Sequence, residues 1–137
     1  MKVLIDTNII IDAITNRDGK SCFSAQVIDL CAAGKIAGYL APHSLSNMYY
    51  ILRKDYSDTQ RRIILKNYSD ILKITELNTD IVDAALDNNI ITDFEDAIQH
   101  ACAESIGADY IITRNTKDYA GSVIRALLPE ELLSLMK

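Results

Sequence analysis

An α/β fold, with a central parallel sheet covered by helices on both faces in three layers, is the architecture this 137-residue chain predicts. Short aliphatic runs such as "KVLI" and "DYIIT" read as strands buried on both sides, because they lack the alternation of a half-exposed strand. The segments between such runs carry helical spacing. Strands and helices therefore alternate, and a parallel pair needs a crossover of that kind.

The first strand covers Lys2 to Asp6, and a helix follows from about Asn8 to Ile14. "AQVIDLCAAGKI" has helical spacing at Val27, Ile28 and Leu30-Cys31, with Gly34 as its stop. A short strand at Ala37 to Ala41 ends at Pro42. Ser44 to Lys54 reads as a helix with Leu45, Met48, Tyr49 and Leu52 on one face. Ser57 caps a further helix to about Asp70. A strand near Leu72 to Ile74 precedes a helix from Thr79 to about Leu86. In "TDFEDAIQHACAESIGA", Thr92 and Glu95 form a T-x-x-E capping box and Gly107 ends the helix. "DYIIT" is the next strand, and "LPEELLSLM" closes the chain as a helix with Pro129 in its first turn.

Length suits one domain spanning residues 1–137, and 49% hydrophobic with 24% charged residues is globular composition. No apolar run approaches the roughly 20 residues that span a bilayer, and the N-terminus is no signal peptide, so no membrane role is expected. Cys22, Cys31 and Cys102 show no CxxC spacing and read as small core residues, which points to the cytoplasm. The net charge of −5 argues against nucleic-acid binding by bulk electrostatics. It conceals a basic stretch, Arg53, Lys54, Arg61, Arg62 and Lys66, and an acidic one from Glu76 to Glu104.

Ligands of open α/β sheets bind beyond the carboxyl ends of the strands. Asp6 ends the first strand. Thr113 ends the "DYIIT" strand, with Asn115 and Asp118 just past it, so both polar clusters belong to one sheet edge. Asp93 and Asp96 share a face of the helix that begins there. Each acid has an ordinary alternative: an N-cap for Asp6, a turn residue for Asp118, complement to the helix dipole for Asp93 and Asp96. Glu95 is accounted for by its capping box. Together, however, the aspartates would be costly. Two carboxylates about 4 Å apart repel by roughly 4 kcal/mol at an effective dielectric near 20. A cation relieves that cost, and oxygen-only ligands suit Mg²⁺ or Mn²⁺. Metal-dependent phosphodiester hydrolysis is the economical chemistry.

The order "LIDTN", "DFEDAIQHACA", "ADYIITRNTKDY" strongly resembles the PIN domain, closest to the small bacterial and archaeal PIN proteins that include VapC-like toxins. The resemblance runs from Val3 to about Leu133. It implies a Rossmann-like α/β/α fold and an Mg²⁺- or Mn²⁺-dependent ribonuclease, the toxin of a toxin–antitoxin pair, with a small antitoxin partner and a homodimer. By the same resemblance the catalytic and metal-holding acids are Asp6, Asp96 and Asp118, and Asp93 is an additional acid. Thr7, Asn8, Thr113 and Asn115 are polar residues around them. One departure stands out. PIN domains commonly carry a Glu on the helix after the second strand, and the matching position here is Asn47. A catalytically weak or inactive PIN fold that binds RNA or protein is therefore the rival reading, and a metal-dependent phosphatase or DNA nuclease a third.

The basic stretch is either a solvated helix face or a set of RNA phosphate contacts: Arg53, Lys54, Arg61 and Arg62, with Arg17, Lys20, Arg114 and Lys117 as further candidates. Tyr50 and Tyr56 are candidates to stack on unpaired bases, whereas Tyr49 is assigned to the core. His43 is either a substrate contact or a packed side chain, and His100, on the face of Asp96, is expected to pack or face solvent. No Walker A, GxGxxG, Ser-His-Asp or zinc spacing is present, which removes nucleotide-driven and serine-type chemistry.

Overall fold

The computed structural model describes residues 1–16, 19 and 21–137. Five strands, β1 (Lys2–Ile5), β2 (Ala37–Leu40), β3 (Lys73–Ile74), β4 (Tyr110–Ile112) and β5 (Arg125–Leu127), pair in the order β3-β2-β1-β4-β5. Every pair is parallel. The helices are α1 (Thr7–Thr15), α2 (Ser21–Ala32), α3 (Pro42–Ile51), α4 (Asp58–Ile71), α5 (Thr79–Asp87), α6 (Phe94–Ser105) and α7 (Pro129–Leu135). Short 3₁₀ turns cover Leu52–Lys54 and Thr116–Tyr119.

Period-two alternation sorts the strand side chains into two cores. Val3, Ile5, Leu40, Ile112 and Leu127 join Ile9, Ile10, Val27, Met48 and Leu132 on one side. Leu4, Ala41 and Ile111 join Ile81, Ala85, Ala97 and Ala101 on the other, under α5 and α6. Both faces are buried, which is why the strands read as unbroken aliphatic runs. Each fully buried Leu or Ile contributes roughly 1.5–3 kcal/mol relative to exposure.

The chain passes outward from β1 through β2 to β3 and then returns to the opposite side of β1 as β4. That reversal opens a crevice between the carboxyl ends of β1 and β4, the place where α/β sheets take ligands. Asp6 and Thr113 are the first residues beyond these two strands.

Several boundaries differ from those the sequence predicts. α3 begins at Pro42, at its first turn where no N–H is needed, and gives way to a 3₁₀ turn at Leu52. β5 leaves no signal in the sequence, since "RAL" is a three-residue edge strand recognisable only from its pairing with β4. The capping box on α6 is not formed. Asp93 is the N-cap, accepting the Asp96 N–H at 3.0 Å, so α6 starts one residue later and Glu95 is freed from capping. Cys31 and Cys102 are buried as expected, while Cys22 is exposed at the start of α2.

Gly38 in β2 faces α2 and the end of α4. A Cβ there would stand 2.6 Å from Cys31 Sγ and 2.6 Å from Leu72 Cδ2. Gly38→Ala is expected to destabilise the protein by about 1–3 kcal/mol through overpacking. Urea unfolding would read this as a lowered midpoint with an unchanged slope.

Candidate active site

Asp6 is the single residue between β1 and α1. It occupies the N-cap position of α1, yet its side chain makes no cap hydrogen bond. The carboxylate is directed instead toward β4. Its Oδ2 accepts from Thr113 Oγ1 at 2.8 Å and, more weakly, from Tyr119 OH at 3.4 Å and Asn8 Nδ2 at 3.5 Å. Thr113 in turn accepts the Asn115 N–H at 3.1 Å, and Asn8 Oδ1 accepts the Arg114 N–H at 3.3 Å. Thus the two chain exits are tied together across the crevice. Thr7 turns away from this network and meets Ser44 Oγ at 2.8 Å, which also accepts from Gln99 Nε2 at 3.0 Å. That buried link fixes α1 against α3 and α6.

The first turn of α6 supplies Asp93, Glu95 and Asp96, and the 3₁₀ turn after β4 supplies Asp118. These residues line one cleft of about 480 Å³ with Asp6, Thr7, Asn8, Asn47, Tyr50, Ile51 and Asn115. Five carboxylates face it, and no Lys or Arg is among its described lining residues.

The electrostatics follow from that imbalance. Burial pushes the Asp6 carboxyl above its ordinary range, against the opposing hydrogen bond from Thr113. Asp96 is raised to about 7, first by burial and then by the charges of Asp6, Asp93 and Asp118. Glu95 is raised by burial and by Asp6 and Asp93. Tyr119, 3% exposed, reaches Asp96 Oδ1 at 3.3 Å as well as Asp6. Burial, with these two acids, raises its phenol so that it remains a donor.

A crowded carboxylate cleft with no cationic side chain among its described lining residues is matched to a bound cation. Among the described residues no three Asp, Glu, His or Cys side chains close into a complete metal cage. An open set of oxygens nevertheless fits a Mg²⁺-type ion. Such an ion keeps several waters and takes one or two carboxylates together with substrate phosphate.

Two residues of this site escape sequence reasoning. Glu95 was absorbed by the supposed capping box. It lines the cleft and accepts a hydrogen bond from Asn47 Nδ2 at 3.0 Å. Tyr119 adjoins Asp118 in "NTKDYAG", and nothing in that string marks its phenol as buried between two acids. His43 Nε2 lies 3.9 Å from Glu95 Oε1, with its ring pushed towards neutrality by burial. His100 is buried away from the cleft, 3.0 Å from Glu104.

The basic candidates are dispersed. Arg53 covers the ring of Tyr50 at 3.8 Å and donates to the Tyr50 carbonyl at 2.8 Å. Tyr50 is 62% exposed and lines the cleft. Arg61 covers Tyr49 at 3.9 Å, and Arg62 pairs with Asp58 at 3.1 Å, both on α4 and outside the cleft lining. Tyr49 therefore lies under Arg61 and donates to Asp58, where the sequence assigned it to the core. Arg114 pairs at 3.0 Å with Asp12, which is 2% exposed. Lys54 and Lys117 are exposed, and Arg17 and Lys20 lie outside the described residues.

Comparison with known proteins agrees with this geometry. The family model of the PIN domain matches residues 2–117. Ribonuclease VapC1 of Aquifex aeolicus (strain VF5) is 27% identical over 135 residues, covering 95% of this chain and 92% of the relative. A toxin–antitoxin complex from Klebsiella pneumoniae superposes with a TM-score of 0.71 at 25% identity, over 93% of this chain and 97% of that one. VapBC2 from Rickettsia felis, bound to a DNA fragment from its promoter, gives 0.71 at 16% identity, over 93% and 98% of the two chains. With the family model spanning most of its length, an all-parallel sheet and an acidic crevice at the topological switch, the chain belongs to the PIN domain family.

Proposed function

We propose that this protein is a divalent-metal-dependent endoribonuclease acting on single-stranded RNA, and the toxin of a toxin–antitoxin pair. The observation that carries the reading is the convergence of Asp6, Asp96 and Asp118, from three separate segments, on one cleft that holds no cationic side chain among its described lining residues. The similarity to a VapC ribonuclease and to toxin–antitoxin complexes supports both halves of the proposal.

In this reading Asp6, Asp96 and Asp118 hold the ion with help from Asp93. A bound Mg²⁺ or Mn²⁺ lowers the pKa of its water and offsets charge on the phosphate oxygens. The chain's own residues prepare the rest. Thr113 fixes Asp6 through Oδ2, and Tyr119 orients Asp96 against it. Asn8 and Asn115, at the mouth, offer polar groups to the sugar–phosphate backbone. The exposed ring of Tyr50, with Arg53 over one face, offers its other face to an unpaired base and places one positive charge beside an otherwise acidic cleft. Arg61, Arg62, Lys54, Arg114 and Lys117 are outer phosphate contacts. The protein works as one cytoplasmic domain, homodimeric and controlled by a small antitoxin.

Asn47 favours one rival, a PIN fold that binds RNA or a protein without cutting. Cleavage of a labelled structured RNA in Mn²⁺, in Mg²⁺ and in EDTA separates the two. Metal-dependent products are expected. Binding that is indifferent to EDTA and leaves the RNA intact would favour the binding module, and cleavage of DNA in preference to RNA would favour a DNA nuclease.

A further inference from the structure

The cleft contains an exchange between two helices. The α3 position where PIN domains commonly carry an acid holds Asn47, and directly opposite it α6 presents Glu95, 3.0 Å from the Asn47 amide. We infer that Glu95 joins Asp6, Asp93, Asp96 and Asp118 as a fifth carboxylate of the metal-binding set, taking over the work of the missing acid on α3, and that Asn47 is its positioning residue. This rests on the metal-nuclease reading above.

The geometry supports each part. Because α6 is capped by Asp93, Glu95 falls at the second position of the helix, where its side chain has no capping task. Both Glu95 and Asn47 line the cleft, and the amide donates to one carboxylate oxygen, Oε1, leaving Oε2 for a ligand. An acid at 47 would place two negative charges at hydrogen-bond distance, a repulsion that a neutral residue at one of the two positions removes. An amide satisfies that condition and adds a donor that holds its partner. Asp6 points to the same occupant. It is 7% exposed, lines the cleft, and the hydrogen bonds it accepts from side chains all fall on Oδ2. Its Oδ1 accepts from no described side chain, while the Thr7 and Asn8 backbone amides of α1 bear on the carboxylate.

The test is Mn²⁺ binding by calorimetry, with no RNA present, to the wild type, E95Q, N47A and the exchange N47E/E95Q, each checked for folding by circular dichroism. E95Q is expected to weaken Mn²⁺ about tenfold or more, and N47A severalfold because Glu95 loses its tether. The exchange is expected to return affinity to within about threefold of wild type, which a merely structural Glu95 would not allow. E95Q binding Mn²⁺ as tightly as wild type overturns the inference, as does an exchange no better than E95Q. Absence of Mn²⁺ binding by the wild type overturns it together with the metal reading. A wild type that binds Mn²⁺ but cuts no RNA fails only the nuclease reading and leaves the role of Glu95 to be decided by the variants.

Discussion

Asp96→Asn is expected to make the metal-free protein more stable while removing its nuclease activity. Asp96 takes up its proton at about 7 in the folded chain, against the 3.8 of an ordinary aspartate. Between those pH values the native state binds more protons than the unfolded one, so stability falls as pH rises from about 4 to about 7. Above that range the ionised carboxylate stays among Asp6, Asp93 and Asp118 without a cation, and the loss is complete. A shift of this size would correspond to about 4 kcal/mol if it were fully expressed. Asp96 is only partly buried, and solvent screening reduces the effect to about 1–2 kcal/mol. Asparagine keeps an acceptor for Tyr119 and discards the charge. Its melting temperature in EDTA at pH 8 should therefore exceed that of the wild type by about 4–8 °C, with the gap closing near pH 4. Added Mn²⁺ should raise the melting point of the wild type more than that of the variant. A variant less stable than the wild type at pH 8 in EDTA would contradict the assignment of repulsion at this site.

Asp6→Asn should cost the most in catalysis. The Asp6 side chain is nearly buried, and its Oδ2 is held by Thr113 at 2.8 Å. An amide can keep that contact through its carbonyl, which preserves the fold but turns an NH₂ donor toward the cleft. A cation would then meet a positive dipole where it had met a charge. Loss of one such electrostatic contribution is expected to lower kcat/KM on RNA about 10³-fold, or ~4 kcal/mol of transition-state stabilisation. Single-turnover cleavage at saturating Mn²⁺ would measure it, with thermal melting to check folding. An effect of only a fewfold would show that Asp6 is a packing residue of the β1–α1 turn and no part of the chemistry.

Much of this is legible in the sequence alone. Helical spacing and buried aliphatic runs determined the alternation of elements, because both faces of the sheet are covered and hydrophobic burial leaves its period in the string. Strand ends then put Asp6 and Thr113 at one edge of the sheet, and the spacing of "DFED" put Asp93 and Asp96 in one helical turn. These are local signals carried by short-range geometry.

Other features were decided only in three dimensions. Thr92 and Asp93 both make good caps, and which of them caps α6 was settled by one hydrogen bond. That choice released Glu95 into the cleft beside Asn47, from a helix 48 residues away in sequence. Tyr119 became a shared donor because the 3₁₀ turn after β4 folds back under Asp96. Arg61 and Arg62 read as a basic patch with Arg53, yet only Arg53 rests on an aromatic ring that lines the cleft. The residue types of the site were thus written in the sequence. Their protonation, and which of them meet, were not: desolvation and charge crowding depend on what lies within a few ångströms in space, which sequence separation does not encode.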